Sequence, residues 1–233
     1  MAERPYTLLS CGISIDGYLD SATRTRLALS NNADFDRVDA VRAACDAVLV
    51  GAATVRNDNP RLLVRSPERR AERVARGQDP SPIKVTVTEQ AKLDPGVDFF
   101  TCGGEKLVYC ASATAAEARD RLGSVATVVD GGQPVDLRWL SEDLCARGVR
   151  RLMVEGGGTV LTQFLTEDLA DELQLVIAPF FVGEPAARRL VDGGRFPWNP
   201  ERRAPLAQVR QIGDVVLLRY ALSPRFWTDA DAD

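Results

Sequence analysis

Histidine is absent from the chain. No Ser-His-Asp triad, Cys-His pair, HExxH zinc site or imidazole proton shuttle can therefore be assembled from it. Lysine is scarce as well: of 29 basic residues only Lys84, Lys92 and Lys106 are lysines, leaving 26 arginines. An arginine at any one position is accordingly weak grounds for a special role and must be placed by context. Net charge is −4 and the pI is near 5.1, with no cluster of basic and aromatic residues to offset it, which argues against nucleic acid as the main ligand. Five cysteines (Cys11, Cys45, Cys102, Cys110, Cys145) are odd in number, scattered and never in a CxxC. That suits free thiols in a reducing compartment better than a disulfide framework or a zinc site. No apolar stretch reaches the roughly 18 to 20 residues that span a bilayer. Met1 to Pro5 lacks the basic start, apolar run and small-residue cleavage site of an export signal. The expectation is a cytoplasmic protein with no membrane partner and no bound metal.

What remains is ample for a folded core. A chain of 233 residues, 45% apolar and 27% charged, buries about 70% of its unfolded surface, and its alternating strand and helix signals read as α/β. Residues 6–15 predict a first strand, and 47–55 (AVLVGAATV) a second, apolar enough to be buried on both faces. Between them Ser30-Asn31-Asn32 signals a helix start, with Asp34 and Asp36 in the first turn where the helix dipole favours acids. Phe35, Val38, Val41 and Cys45 share one stripe at 100° per residue, and Arg42 plots between Phe35 and Val38, so it is expected to point inward. Further strands are expected at 83–88, 106–111, 125–129 and 151–155, with helices between several of them, and a helix at 159–170. Residues 172–182 and 214–222 read as an antiparallel pair at the sheet edge, joined by a long loop rich in Gly, Pro and Arg. Residues 65–82 read as a surface excursion with solvated arginines. The organisation predicted is one domain over residues 1–226 and an acidic, frayed tail at 227–233.

Three segments carry candidate chemistry. Glu155-Gly156-Gly157-Gly158-Thr159 joins a strand to a helix start, where backbone N–H groups and the dipole form an anion site suited to a dinucleotide pyrophosphate. A tight turn needing glycine explains it equally well, and it is not the GxGxxG fingerprint of a first βα turn. Residues 50–65 (VGAATVRNDNPRLLVR) run from small residues at a strand end, where a flat ligand can lie on the backbone, through an Asp-Asn-Pro turn. Ser14-Ile15-Asp16-Gly17 ends the first strand with an ordinary Asp-Gly turn or closes the same edge. All three lie at expected carboxyl ends of strands.

Taken in order, Cys11 to Gly17, Val41 to Gly51, Thr54 to Arg65, Val154 to Thr159, and Leu169-Ala170-Asp171-Glu172 before Ala178-Pro179 resemble the riboflavin-pathway pyrimidine reductases, the reductase half of the bifunctional deaminase/reductase. The resemblance covers residues 6 to 222. It implies a dihydrofolate-reductase-like fold, with a mostly parallel central sheet, flanking helices and an antiparallel C-terminal edge. It also implies a homodimer, and NADPH-dependent reduction of a ribosylaminopyrimidine 5′-phosphate to its ribitylamino product. No zinc deaminase half accompanies it, since the HxE and CxxC ligands are absent.

By the same resemblance Gly12 offers backbone to the nicotinamide amide, Thr54 and Asp58 hold the cofactor, and Gly157, Gly158, Thr159, Val160, Leu161, Thr162 and Gln163 hold its pyrophosphate. Glu89 falls where the family carries a serine beside the adenosine 2′-phosphate, which opens NADH as an alternative to NADPH. Arg42, Leu62 and Arg65 surround the ribose 5-phosphate, where arginine forks suit a phosphate dianion, and Glu155 touches substrate. Hydride delivery needs a proton as well, from Asp58, Glu155 or water. Departures from the family are Ser10 for a lysine, Arg26 and Ala28 for Ser and Trp, and Thr88-Glu89 for Asp-Ser. The first two bear on whether the pyrimidine is deaminated, or whether the ring is another, pterin-like heterocycle. From another class, a non-catalytic nucleotide-binding module would keep Gly156 to Thr159 but have no use for Arg42 and Arg65.

Overall fold

A computed structural model describes residues 3–22 and 27–229. They fall into two compact units, Met1–Pro5 with Val38–Met153, and Tyr6–Arg37 with Val154–Asp233. Helix α1 (Asn32–Ala43) runs from the second unit into the first.

In the first unit, β2 (Ala47–Gly51) leads into α2 (Ala52–Asp58), α3 (Pro67–Ala75), β3 (Ile83–Thr88) and α4 (Asp98–Thr101). The chain goes on through β4 (Lys106–Cys110), α5 (Ala115–Leu122), β5 (Thr127–Asp130) and α6 (Leu137–Ala146). Its strands lie in the order β5-β4-β3-β2, all parallel, with Val50 opposite Thr86 and Val85 opposite Leu107. Helical crossovers put cover on both faces of such a sheet, which is why every residue of β2 is buried. Lys84 is buried too, its ammonium satisfied by the carbonyls of Phe99 and Cys102 at the end of α4. Burial pushes its pKa down to about 8.

Strand β6 (Arg151–Gly156) carries the chain into the second unit, where β1 (Tyr6–Ser14), α7 (Gly158–Thr166), β7 (Glu172–Ala178), β8 (Leu206–Ile212), β9 (Val215–Ala221) and α8 (Arg225–Asp229) follow. The order there is β1-β7-β9-β8, with β1 and β7 parallel and the last two pairings antiparallel. The mixed α/β class and the antiparallel C-terminal strands stand as expected.

Several boundaries differ from the expectation. The second strand stops at Gly51 rather than residue 55, because Ala52 and Ala53 are strong helix formers and start α2. The strand expected over 172–182 ends at Ala178, and the expected loop after it contains β8. That strand is exposed except at Ile212, so no buried apolar run marks it. β8 is therefore the edge, while β7 lies between β1 and β9 and cannot serve as one. Helix α7 ends four residues before 170. The inward stripe of α1 is also different: Phe35 is 36% exposed, Cys45 lies beyond the helix end, and the buried side chains include Asp34 and Asp39, each 2% exposed. The excursion at 65–82 contains α3, capped by the Ser66 hydroxyl on the Arg69 N–H. Its Arg73 is 2% exposed rather than solvated. The Arg73 guanidinium donates to the carbonyls of Ala43 and Cys45 at 2.8 and 2.7 Å, supplying the cation that a helix C-terminus favours. The tail expected from residue 227 begins inside α8.

Candidate functional site

In the first unit the four parallel strands end on one edge, and the cofactor positions expected there follow β2 and β3. Thr54 is half-buried in the first turn of α2, not at a strand end, and Asp58 is exposed at the helix's last turn. Asn59 closes that helix in the left-handed region at φ 44°. Residues 59–66 then form an irregular segment in which Leu62, 3% exposed, also holds a positive φ of 51°. A non-glycine residue stays in that sparsely populated region only when its surroundings over-determine it. Here Nη1 of the half-buried Arg42 donates to the Leu63 carbonyl at 3.3 Å. The Val64 N–H donates to Ser81 Oγ at 3.0 Å.

Asp39 anchors the end of this segment. Its Oδ1 accepts the Arg65 N–H at 2.5 Å, and its Oδ2 accepts the Ser66 N–H at 3.1 Å and Arg69 Nη1 at 3.0 Å. The Arg65 side chain, 58% exposed, brings Nε to 3.7 Å from Oδ1. Burial works to raise the Asp39 carboxyl, but those N–H groups and the Arg69 charge outweigh it and hold the pKa below the ordinary carboxylate range. The structure thus places Leu62 and Arg65 on one segment and tethers that segment to Arg42 and Asp39 of α1. Sequence reading missed Asp39 and Arg69. The available signal was that Asp39 precedes Arg42 by three residues and so shares its side of α1.

Glu89 follows β3 as expected and is exposed. Its Oε1 accepts the Val135 N–H at 3.0 Å, and its carbonyl accepts the Thr114 hydroxyl at 3.1 Å, so it ties down the segment after β5 as well.

In the second unit Gly12 sits on β1 opposite Val176, and a Cβ there would meet the Leu29 Cβ and carbonyl oxygen at 3.2 Å. Close approach of Leu29 therefore accounts for this glycine without a ligand. Asp16 accepts the Ser14 hydroxyl at 2.6 Å and the Val182 and Gly183 N–H groups at 3.0 and 2.8 Å. Its pKa falls to about 2: burial acts to raise it, and the hydrogen bonds from Ser14, Val182 and Gly183 win. The Ser-x-Asp-Gly motif is thus a clasp between the end of β1 and the segment after β7.

The three glycines after β6 divide their work. Gly156 holds φ 122°, which L side chains rarely adopt. A Cβ on Gly158 would meet the Arg189 carbonyl oxygen at 3.1 Å and Leu19 Cδ1 at 3.3 Å. Gly157, the N-cap of α7, has φ −71° and ψ −177°, ordinary extended backbone, and makes no side-chain cap hydrogen bond. The fold thus constrains Gly156 and Gly158, while Gly157 has backbone angles open to any residue. Thr159 Oγ1 donates to Asp192 Oδ2 at 3.1 Å, and the Asp192 N–H donates to Thr162 Oγ1 at 2.8 Å. Val160, Leu161 and Thr162 are buried, whereas Gln163 and Glu155 are half-buried. Within Gly157 to Gln163, Thr159 is thus the one exposed residue.

Other motif residues are structural. Asp46 Oδ2 accepts the Arg150 and Arg151 N–H groups. Asp171 and Glu172, both fully buried, anchor Thr7, Ser223 and Arg225, and Tyr6, Gln174 and Arg219. Ser10 is buried opposite Gln174. Arg26 lies outside the described residues. Among the described residues no helix is long and apolar enough to cross a membrane.

Comparison with known proteins agrees over nearly the whole length. The RibD C-terminal domain model matches residues 5–218. A 2,5-diamino-6-ribosylamino-4(3H)-pyrimidinone 5′-phosphate reductase from Archaeoglobus fulgidus is 33% identical over 96% of this chain and 99% of its own. The protein of that name from Methanothermobacter thermautotrophicus is 36% identical over 94% and 99%. A pyrimidine reductase-like protein from Corynebacterium diphtheriae, 21% identical, superposes with a TM-score of 0.80 over 93% of this chain and 91% of its own, which shows a shared fold. With a family model spanning both units and relatives matched end to end, the chain belongs to the RibD C-terminal domain family.

Proposed function

We propose that this chain reduces a ribosylaminopyrimidine 5′-phosphate to its ribitylamino product in riboflavin biosynthesis, with a nicotinamide dinucleotide as reductant. The observation that carries the reading is the end-to-end match to two proteins named as reductases of that substrate class. The chemistry fits a chain without histidine, because the protein mainly has to position two ligands and supply electrostatics. The residues present suit a dinucleotide: α7 starts at Gly157 with no side-chain cap, so its first-turn N–H groups can receive a pyrophosphate. The nicotinamide, when bound, supplies the hydride. Gly157 to Gln163 hold the pyrophosphate chiefly through the backbone of the first turn and Thr159, while Thr54, Asp58 and the Gly12 backbone orient the rest of the cofactor. Arg65 takes the substrate phosphate, with Arg42 and Leu62 shaping the segment that presents it. Glu155 contacts the pyrimidine, and the proton comes from Glu155, Asp58 or water. Residues 1–226 are read as one reductase domain, and the chain as a cytoplasmic homodimer. Leu206 and Val209 on the edge strand β8, 51% and 60% exposed, are the natural contact.

The test is Arg65→Ala. Loss of one charge-assisted partner costs about 1.5 to 3 kcal/mol, so the Kd for the pyrimidine phosphate should rise roughly 10- to 150-fold while that of the cofactor stays constant, as read by calorimetry. A variant that loses cofactor and keeps substrate would reassign Arg65. A parent that binds nucleotide but never oxidises it with pyrimidine phosphates would be a binding module, and turnover confined to a pterin would name the other heterocycle.

NADPH is the proposed reductant, and Glu89 sets how strongly it is preferred over NADH. A carboxylate repels a 2′-phosphate by about 1 kcal/mol at 4 Å even in full solvent, whereas it can accept hydrogen bonds from a free 2′-hydroxyl. Glu89→Ser is expected to shift the kcat/KM ratio toward NADPH several-fold. An unchanged ratio would leave Glu89 as the anchor of Val135 alone.

A further inference from the structure

We propose that Asp39 is a positioning residue for phosphate recognition: one buried carboxylate fixes the backbone at residues 65–66 and holds the Arg69 guanidinium, so that Arg65 and Arg69 are presented together to a phosphate monoester. This rests on the reading of Arg65 given above and adds two residues to it.

The geometry carries the argument. Asp39 is 2% exposed, yet its hydrogen-bond and ion-pair partners among the described residues come from the segment that bears Arg65 or from the first turn of α3. Taking a carboxylate out of water is costly unless it is paired and hydrogen-bonded, and here three donors and two cations repay that cost. The two guanidiniums lie within 3.7 and 3.0 Å of the same carboxylate, with side chains 58% and 23% exposed. Arg70, whose Nη1 reaches the Arg65 carbonyl, and Glu68, which feels the Arg69 and Arg70 charges, stand beside them, so three cations gather around two anions. A guanidinium carries five N–H donors in a planar fork, more than one carboxylate can take up. The segment before Arg65 holds Leu62 at a positive φ and is anchored by Arg42, by Ser81, by Arg70, whose Nη1 reaches the Val64 and Arg65 carbonyls, and by Asp98, which pairs with the Arg61 guanidinium and donates its N–H to Asn59 Oδ1. Releasing Asp39 therefore frees the end of the segment on which Arg65 stands, and leaves the segment's earlier anchors intact.

The experiment compares the pyrimidine ribosylamine 5′-phosphate with its dephosphorylated nucleoside. Asp39→Asn should raise KM for the phosphorylated substrate at least ten-fold, with kcat within two-fold. It should leave kcat/KM for the nucleoside and the Kd for NADPH unchanged. Arg69→Gln should raise the same KM three- to ten-fold, and it serves alone if Asp39→Asn does not fold. In an Arg65→Ala background, Asp39→Asn should add less than two-fold. Equal losses on both substrates, or multiplicative effects in the double variant, would overturn the proposal. If the parent turns over neither substrate, the reaction has been misread, and ribose 5-phosphate binding by calorimetry then decides the role of Asp39. A ten-fold weaker Kd in Asp39→Asn upholds it; an equal Kd, or no binding to the parent, rejects it.

Discussion

Gly157→Val should give a folded protein whose affinity for NADPH is at least about a hundred-fold lower, a loss of roughly 2.7 kcal/mol. The expectation depends on choosing the right glycine. Valine at 156 would sit at φ 122°, and at 158 its Cβ would press on the Arg189 carbonyl, so either substitution would report on the fold before any ligand was added. Gly157 has dihedrals that any residue adopts, and no side chain caps α7 there. Of the three, Gly157 is the position whose φ and ψ suit a side chain, and a valine there places a branched side chain where the pyrophosphate would approach the helix N-terminus. Circular dichroism and the melting temperature would establish that the variant is folded, and calorimetry would give its Kd. A folded Gly157→Val protein with parental affinity would show that Gly156 to Gly158 is a turn and nothing more.

Asp171→Ala is expected to cost stability and nothing else. Asp171 is fully buried, its Oδ2 accepts the Thr7 N–H at 2.9 Å and its Oδ1 the Ser223 hydroxyl at 2.6 Å. Arg225 adds an ion pair at 3.1 Å, but its side chain is 42% exposed, so that ion pair contributes little. The cost lies in the partners left behind. Thr7 is itself fully buried, and its N–H would lose its acceptor in a place water does not reach. About 3 kcal/mol follows, which for a chain of this size lowers Tm by roughly 6 to 12 °C. Cofactor and substrate affinities measured well below the melting point should be unchanged. A large loss of either would move Asp171 from the frame into the site.

These two variants separate roles that look alike in sequence, and the same contrast runs through the molecule. The α/β class, the strands at 83–88 and near 6–15, 106–111 and 151–155, and the helix start at Asn31 were legible because each rests on local chemistry. Asn31 Oδ1 does accept the Asp34 N–H, as a cap should. The ordered motifs from Cys11 to Pro179 likewise pointed to the family whose model matches residues 5–218. The functions of individual motif residues were not legible, because they depend on partners far along the chain. Asp16 clasps Val182 and Gly183, Gly12 makes room for Leu29, and Asp171 holds Thr7, none of which local periodicity can reveal. Strand β8 escaped for a related reason: an exposed edge strand is held by backbone pairing with β9 and needs no apolar pattern of its own.

Burial of charge was the other decision left to tertiary structure. An apolar stripe predicts an inward helix face, but α1 turns Asp34 and Asp39 inward, and α3 buries Arg73 in a segment that composition marks as solvated. Such charges are tolerated only where donors and acceptors converge on them from separate elements. For Asp39 these are the N–H groups of Arg65 and Ser66 and the Arg69 guanidinium; for Arg73 they are the carbonyls of Ala43, Cys45 and Asp79. The sequence alone determined which residue types were available to recognise a phosphate, arginine in abundance and histidine not at all. Which arginines are held in place was decided by the fold, because a guanidinium can become a specific ligand only when something buried fixes where it stands.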